Sequence, residues 1–398
     1  MRVGAHVKKI IRALVCLSLC ACLLSSCALI GVIKKARESV GGAPKRDENH
    51  SVFSFDVPQE FVDPGFVDFR VSRYLYLMLN ETQQNAYRII YNEIFSQPEK
   101  IRIPKMSEDE LSAVILAVKY DHPYLLCMDT TYSFSLRGNT YTLIPDYVDD
   151  VSVCIERSKA LISRAKALVA EIPAEAADDY EKELFLHDRL CEGCVYADDG
   201  LCATAYGAII NGRAICEGYA LAAKLLFDLT GIESVCVRGN GTEKDGMTVA
   251  HMWNAVRLAS GWYFLDCTWD DPVSAEEGQH VVRHFYFNLP SSVFSRNHSD
   301  YRLLDRIDCE NTEDNYFRRS GLYCEEDTWE EIMEDVISRA EAGDTAELMF
   351  SSQALLEDAM IEVFEEGGIN YYGGNGGWRR YGYSSDPPVG GLYMEFYE

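Results

Sequence analysis

Apolar positions recur at helical spacing over Thr82–Ile94, where Tyr87, Ile90, Tyr91 and Ile94 share one face. Ser107 with Glu110 forms a capping-box pattern ahead of LSAVILAVKYDHP, so a second helix is predicted there. Tyr132–Leu136 and Thr140–Ile144 alternate around Arg137-Gly138-Asn139, which predicts a hairpin. Helical patterns follow at Ile155–Glu171 and Asp178–Leu190. Cys216 opens a helix-forming run through Phe227, stopped by Thr230-Gly231. Met252–Leu258 and Trp262–Asp266 read as two strands joined by a turn at Ala259-Ser260-Gly261, and Val281–Phe287 as a further strand of the same sheet. Near Tyr323 a second unit begins: Thr328 is a predicted cap for a helix reaching about Ala342, then come a strand at Ala346–Phe350, a helix at Gln353–Phe364 and an alternating strand at Leu392–Tyr397. Helices and strands intermix without a regular βαβ repeat, which gives an α+β fold class.

The first residues depart from this globular patterning. A basic stretch, MRVGAHVKKIIR, precedes the apolar ALVCLSLCACLLSSC, a run too short for a membrane span and of the composition of an export signal. Leu24-Ser25-Ser26-Cys27 resembles the bacterial lipoprotein cleavage box. That resemblance implies a signal peptide at 1–26, lipidation of Cys27 and a protein that is extracytoplasmic and membrane-anchored. Residues 27–63 are polar and mixed, as a tether requires. The chain carries a formal charge of −26, and beyond residue 26 it holds 33 basic against 63 acidic residues. Nucleic acid is therefore excluded as the expected partner.

The chemistry concentrates between Asn211 and Pro272. A thiol in the first turn of a helix faces unpaired N–H groups and the positive end of the helix dipole, both of which favour the thiolate nucleophile. The Cys216 N–H is also placed to donate to a developing oxyanion. If Trp253 faces Asp266 across the hairpin, the side chains of His251 and Asp266 fall on one face, because side chains alternate with period two. A slip of one residue would separate them. An imidazole oriented by a carboxylate beside a helix-terminal thiol is the constellation that thiol nucleophilic catalysis needs, and it needs no metal or organic cofactor.

At Cys216-Glu217-Gly218-Tyr219-Ala220, His251-Met252-Trp253-Asn254 and Asp266-Cys267-Thr268-Trp269-Asp270 the chain resembles the transglutaminase-like superfamily, the circularly permuted relatives of papain-type thiol proteases. Glu183–Leu190, Ala205–Ala208 and Phe285–Asn288 extend the likeness, which covers roughly residues 180–298. The resemblance implies a papain-like core with Cys216, His251 and Asp266 as catalytic triad, and it offers Tyr206 as an oxyanion-assisting side chain. It also implies an acyl-transfer enzyme acting on amide bonds of a protein or peptide substrate. Resolution of the acyl-enzyme by water gives a peptidase or amidase, the preferred reading; resolution by an amine gives a protein-glutamine transglutaminase. A surface binding or scaffold protein retaining the fold without turnover is the rival of another class. Expected boundaries are 64–150 for an N-terminal α+β segment, 151–322 for the catalytic core and 323–398 for a small C-terminal α/β domain.

Fourteen cysteines are many for this length. Three lie in the signal segment, and with Cys27 and Cys216 assigned nine remain. Cys191, Cys194 and Cys202 with His187 have the ligand types of a zinc or redox site, although disulfides or core thiols account for them as well. His280, His284 and His298 are alternative general bases that lack a following Trp-Asn, and are expected to be structural.

Overall fold

A computed structural model describes residues 57–137, 140–272, 281–300, 307–373 and 377–398. The expected signal segment, Cys27, His280 and the Gly138-Asn139 turn lie outside them, as does the expected tether up to residue 56. Its last residues are described, and they do not hang free: Phe61 packs edge-on against Tyr76, Tyr87 and Tyr91, and Val62 N donates to Asn92 Oδ1 at 2.8 Å. Among the described residues no helix is long and apolar enough to cross a membrane.

The first elements pack helices Glu81–Ile94 and Glu108–Asp121 against a three-stranded antiparallel sheet, in the order β1 (Ile101–Pro104), β3 (Thr140–Tyr147), β2 (Met128–Arg137). Both helices begin with a reciprocal cap. Asn80 pairs with Gln83, and Ser107 with Glu110 as its spacing predicts. Helices Val151–Val169 and Asp179–Glu192 lead into the central helix, Cys216–Thr230, through two parallel two-residue strands, β4 (Val195–Tyr196) and β5 (Arg213–Ala214). A π-helical turn at Gly207–Asn211 lies between those two strands.

The Cys216 helix buries every residue from Gly218 to Asp228, as a helix sandwiched on all sides must. Its one buried cation, Lys224, bonds Asp228 at 2.6 Å, and Asp228 accepts from Ser72 N. Gly231 ends the helix at φ +83°, the left-handed position that glycine occupies without penalty. The helix packs on a four-stranded sheet ordered β8 (Trp262–Leu265), β7 (Thr248–Arg257), β6 (Glu233–Thr242), β9 (His298–Asp300), antiparallel throughout.

Two expectations fail here. Val281–Phe287 is no strand: beside β8 its one backbone bond is from Asp266 N to Tyr286 O, and just past it Phe264 and Leu289 form an isolated antiparallel bridge. The chain instead curls around Asp270, whose Oδ1 accepts from Tyr286 N at 2.9 Å and whose carbonyl accepts from Arg283 N. Thr328 does not cap the helix Trp329–Arg339 through its side chain; its hydroxyl accepts from Glu325 N instead.

The last residues form a second four-stranded sheet, β10 (Tyr323–Cys324), β11 (Thr345–Phe350), β13 (Gly391–Tyr397), β12 (Arg380–Asp386), with helices Trp329–Arg339 and Gln353–Met360. Leu348, Phe350, Leu392, Met394 and Phe396 form their own core with Met333 and Ile337. Alternate residues of the same strands, Met349 and Tyr393, are buried in the larger core, so the sheet shares its opposite face with the preceding elements.

Candidate active site

Cys216 is the first residue of its helix, half-buried, with Ile215 in extended conformation just before it. Its N–H stands at a helix start, where no intrahelical acceptor exists. Gly218 allows the close approach: Cys202 O and Ala214 Cβ pass where a side chain would begin.

The hairpin register pairs Asn254 with Leu265, which sets Trp253 opposite Asp266 one step on. His251 and Asp266 therefore share a face, and His251 Nε2 meets Asp266 Oδ2 at 2.6 Å. Asp266 is fully buried, and its Oδ1 accepts from the N–H groups of Thr268 at 3.0 Å and Trp269 at 3.3 Å. Burial opposes charge on both partners. The His251 imidazole nevertheless rises to about 10, because the Asp266 carboxylate outweighs that burial and the neighbouring Cys216 adds hydrogen bonding and charge. The Asp266 carboxyl is held below its usual range by His251 and His298 against the same burial cost. With Nε2 committed to the carboxylate, Nδ1 is the ring nitrogen left for the thiol.

His298 is the residue that sequence reasoning misplaced. It enters from β9, 47 positions after His251 in the chain, and sets Nε2 3.2 Å from the same Asp266 oxygen. Burial lowers its pKa against the pull of the Asp266 carboxylate, the opposite of the direction at His251. Its Nδ1 lies 2.8 Å from Asn297 Oδ1, and Asn297 donates to the Tyr286 hydroxyl, which donates to Asp386. Trp269 covers both rings, at 5.2 Å from His251 and 4.3 Å from His298. Gly241 makes room for that indole.

Tyr196 also went unremarked in the sequence. The residue as a whole is 41 % exposed, yet burial and the nearby charges of Cys216, Asp198, Glu243 and Asp266 raise its phenol above the usual value. A two-residue strand has too little pattern to be seen in sequence. Tyr206 sits just before the π-helical turn, half-buried against the same core as Cys216. His284 lies elsewhere, between Asp188 at 3.0 Å and Glu347 at 2.7 Å.

Among the described residues Cys191, Cys194 and Cys202 do not come together as a ligand group, in keeping with the reading of them as core thiols. Cys202 turns to Asp199, Cys194 to the Val195 carbonyl, and only Cys191 meets His187. Three other groups bring ligand-type atoms together: His251 with Asp266 and His298, His187 with Cys191 and Cys267, and His187 with Asp188 and His284.

Residues 166–267 match the model of the Transglutaminase-like superfamily. This segment is a transglutaminase-like core. It contains Cys216, His251 and Asp266, while His298 and Tyr286 lie beyond the matched stretch. No curated protein matches the chain. Among solved structures it is similar to a TGase, at 16% identity over 45% of this chain and 53% of that one, with a TM-score of 0.28. It is also similar to a candidate cysteine protease from Cytophaga hutchinsonii, at 13% identity over 34% and 55% of the two chains, with a TM-score of 0.23. The periplasmic domain of TgpA from Pseudomonas aeruginosa bound to ethylmercury matches at 21% identity over 33% and 55%, with a TM-score of 0.23. The chain thus spans about half the length of each of these structures. The mixed helix and sheet architecture around the Cys216 helix is that of the transglutaminase-like core.

Proposed function

We propose that the protein is a thiol-dependent acyl-transfer enzyme that hydrolyses amide bonds of proteins or peptides. The observation that carries this reading is the His251–Asp266 pair at 2.6 Å, with Cys216 close enough to bear on the imidazole's protonation. In the resting pair the proton resides on His251, whose raised pKa keeps it charged at neutral pH. Cys216 Sγ attacks the substrate carbonyl, forming the S–C bond and pushing the carbonyl electrons onto oxygen, where the Cys216 N–H donates. His251 delivers its proton to the leaving nitrogen as the C–N bond breaks. The now neutral imidazole takes a proton from water as its oxygen adds to the thioester carbonyl; the S–C bond then breaks, the acid is released, and Cys216 leaves as thiolate beside the protonated imidazole, the pair from which the cycle began. Asp266 keeps Nε2 occupied throughout, so that Nδ1 does the proton transfer.

Export and lipid anchoring through Cys27 belong to the same proposal, supported by the basic-apolar-small pattern of the first 27 residues. Mass spectrometry of the mature N-terminus tests that part: an unmodified chain that retains Met1 removes it.

The reaction is tested by iodoacetamide labelling of Cys216 at pH 6, followed by peptide mass spectrometry, in the parent and in His251→Ala. Cys216 is expected to label at least about tenfold faster than the other thiols, and to lose that lead without His251. Equal, slow labelling of Cys216 in both proteins sinks the catalytic reading. Given that lead, a peptide substrate with an added amine separates hydrolysis from transamidation, and an isopeptide product exceeding hydrolysis assigns the amine as acceptor.

A further inference from the structure

We propose that Asp386, the last residue of β12, is a positioning residue: it fixes which nitrogen of His298 carries the proton, and so leaves the Asp266 carboxylate to His251. The role rests on the reaction proposed for Cys216. It gives the C-terminal sheet, which lies beyond residues 166–267, a part in the site.

A buried network of hydrogen bonds joins the two ends. Asp386 Oδ1 accepts from the Tyr286 hydroxyl at 3.1 Å, that hydroxyl accepts from Asn297 Nδ2 at 2.8 Å, and Asn297 Oδ1 lies 2.8 Å from His298 Nδ1. His298 Nε2 then stands 3.2 Å from Asp266 Oδ2. Tyr286, Asn297, His298 and Asp266 are 1, 6, 4 and 0 % exposed, so bulk water does not compete for these bonds. The far end is fastened to the site from several sides. Lys244, in the turn between β6 and β7, donates to Ser385 O at 3.0 Å and lies 3.9 Å from Asp386 Oδ2. Arg296, beside Asn297, donates to Pro388 O at 3.1 Å. Gly391, the partner of Asp386 on β13, comes so close to the Phe285 ring that a Cβ would stand 2.8 Å from it.

The network has one direction when Asp386 is a carboxylate. A carboxylate only accepts, so the Tyr286 O–H points to it; the Tyr286 oxygen accepts from Asn297 Nδ2, and the amide turns Oδ1 to His298. A carbonyl oxygen needs a donor. The proton of a neutral His298 therefore sits on Nδ1, and Nε2 presents a lone pair to Asp266. The distances agree, because charge-assisted N–H···O bonds run to about 2.7 to 2.9 Å; His251 at 2.6 Å is of that kind and His298 at 3.2 Å is not. A lone pair facing a carboxylate is unfavourable on its own. The bonds through Asn297 and Tyr286 to Asp386 offset that cost, each strengthening the next in the low-dielectric interior. Burial pushes the Asp386 carboxyl up, while Lys244, the Tyr286 hydrogen bond and Arg283 hold it down. With the network cut, the His298 proton moves to Nε2, and the ring becomes a second donor to the oxygen that orients His251.

The test is nitrogen NMR of the full chain carrying isotope-labelled histidine, at pH 7, in the parent, Tyr286→Phe and Asp386→Ala, with the His298 signals assigned by their loss in His298→Gln. In the parent His298 is expected to be protonated on Nδ1 alone, and in both variants on Nε2. Iodoacetamide labelling of the same proteins from pH 5 to 8 reads the consequence: the acid limb of the Cys216 profile is expected to move up by about one pH unit in both variants, about tenfold less thiolate at pH 6. A parent His298 protonated on Nε2, or on both nitrogens, overturns the proposal whether or not the variants fold. So does a tautomer or a labelling profile that stays unchanged in folded variants, even where their urea midpoints fall, since loss of packing alone gives that result. A parent in which Cys216 has no labelling lead, with the His298 proton on Nδ1 as expected, instead sinks the reaction itself and takes the role of Asp386 with it.

Discussion

Replacing Gly218 by alanine sets two known effects against each other inside one helix. On an open helix surface the change gains about 1 kcal/mol from helix propensity. Here the new Cβ would stand 2.2 Å from Cys202 O, 2.8 Å from Ala214 Cβ and 3.1 Å from Thr204 O, where ordinary contact begins at 3.4 Å. Relief therefore requires a movement of about 1 Å, and interiors as dense as crystals do not absorb that freely. Cys202 O is held in place, because it accepts from Ile215 N, the residue before the nucleophile. Overpacking against fixed backbone costs up to about 3 kcal/mol, so Gly218→Ala is expected to lose a net of about 2 kcal/mol. The displaced segment carries Cys216, and a misplacement of about 1 Å costs on the order of 100-fold in turnover. Urea denaturation measures the first effect, and pH 6 labelling of Cys216 with peptide turnover measures the second. A variant as stable as the parent, with unchanged labelling, would refute the packing argument.

Lys224→Met strands the Asp228 carboxylate in the core and is expected to cost about 3 to 5 kcal/mol in urea denaturation; the double change with Asp228→Asn should recover part of that loss, and a single variant within about 1 kcal/mol of the parent contradicts it. Stability is also expected to fall as pH rises from the weakly acidic range to about 9. Burial pushes Glu183 up to about 8 from 4.5, and the hydrogen bonds of Asp188 and Glu347 lift His284 against its burial to about 9 from 6.5. A pKa raised in the folded state gives stability that is complete below the unfolded value and lost as pH passes the folded one. Melting temperatures across pH 5 to 9, with Glu183→Gln expected to flatten the lower half of the decline, check this; a parent protein that melts higher at pH 9 than at pH 6 would contradict it.

The facing of His251 and Asp266 was legible because it depends on two local quantities, the period of a strand and the length of a turn. Once Ala259-Ser260-Gly261 is the turn, the register that sets Trp253 opposite Asp266 follows, and the structure has it. The same local logic reads the Ser107 cap correctly. It fails at Thr328, where a hydroxyl has a rival donor in Glu325 N just as near in sequence as the helix it was expected to cap. It fails again at Val281–Phe287, whose apolar residues are buried without a ladder because a single carboxylate, Asp270, accepts the backbone donor that a neighbouring strand would have taken.

His298 escapes any local reading. Its role depends on β9 pairing with the far edge of β6, which brings Gly241 beside His298 and the ring onto Asp266. One carboxylate oxygen is thereby shared by two imidazoles, and they do not compete equally. The shorter contact, 2.6 against 3.2 Å, goes to His251, the ring that also borders the thiol. A second charged imidazole would draw Asp266 away from the pair; a neutral one adds a dipole and leaves the charge where the thiol needs it. The burial that lowers the His298 pKa is supplied by Trp269, Phe294 and Trp253, residues from three separate segments. What reserves Asp266 for His251 is accordingly a property of the packed core, and no single motif in the chain contains it.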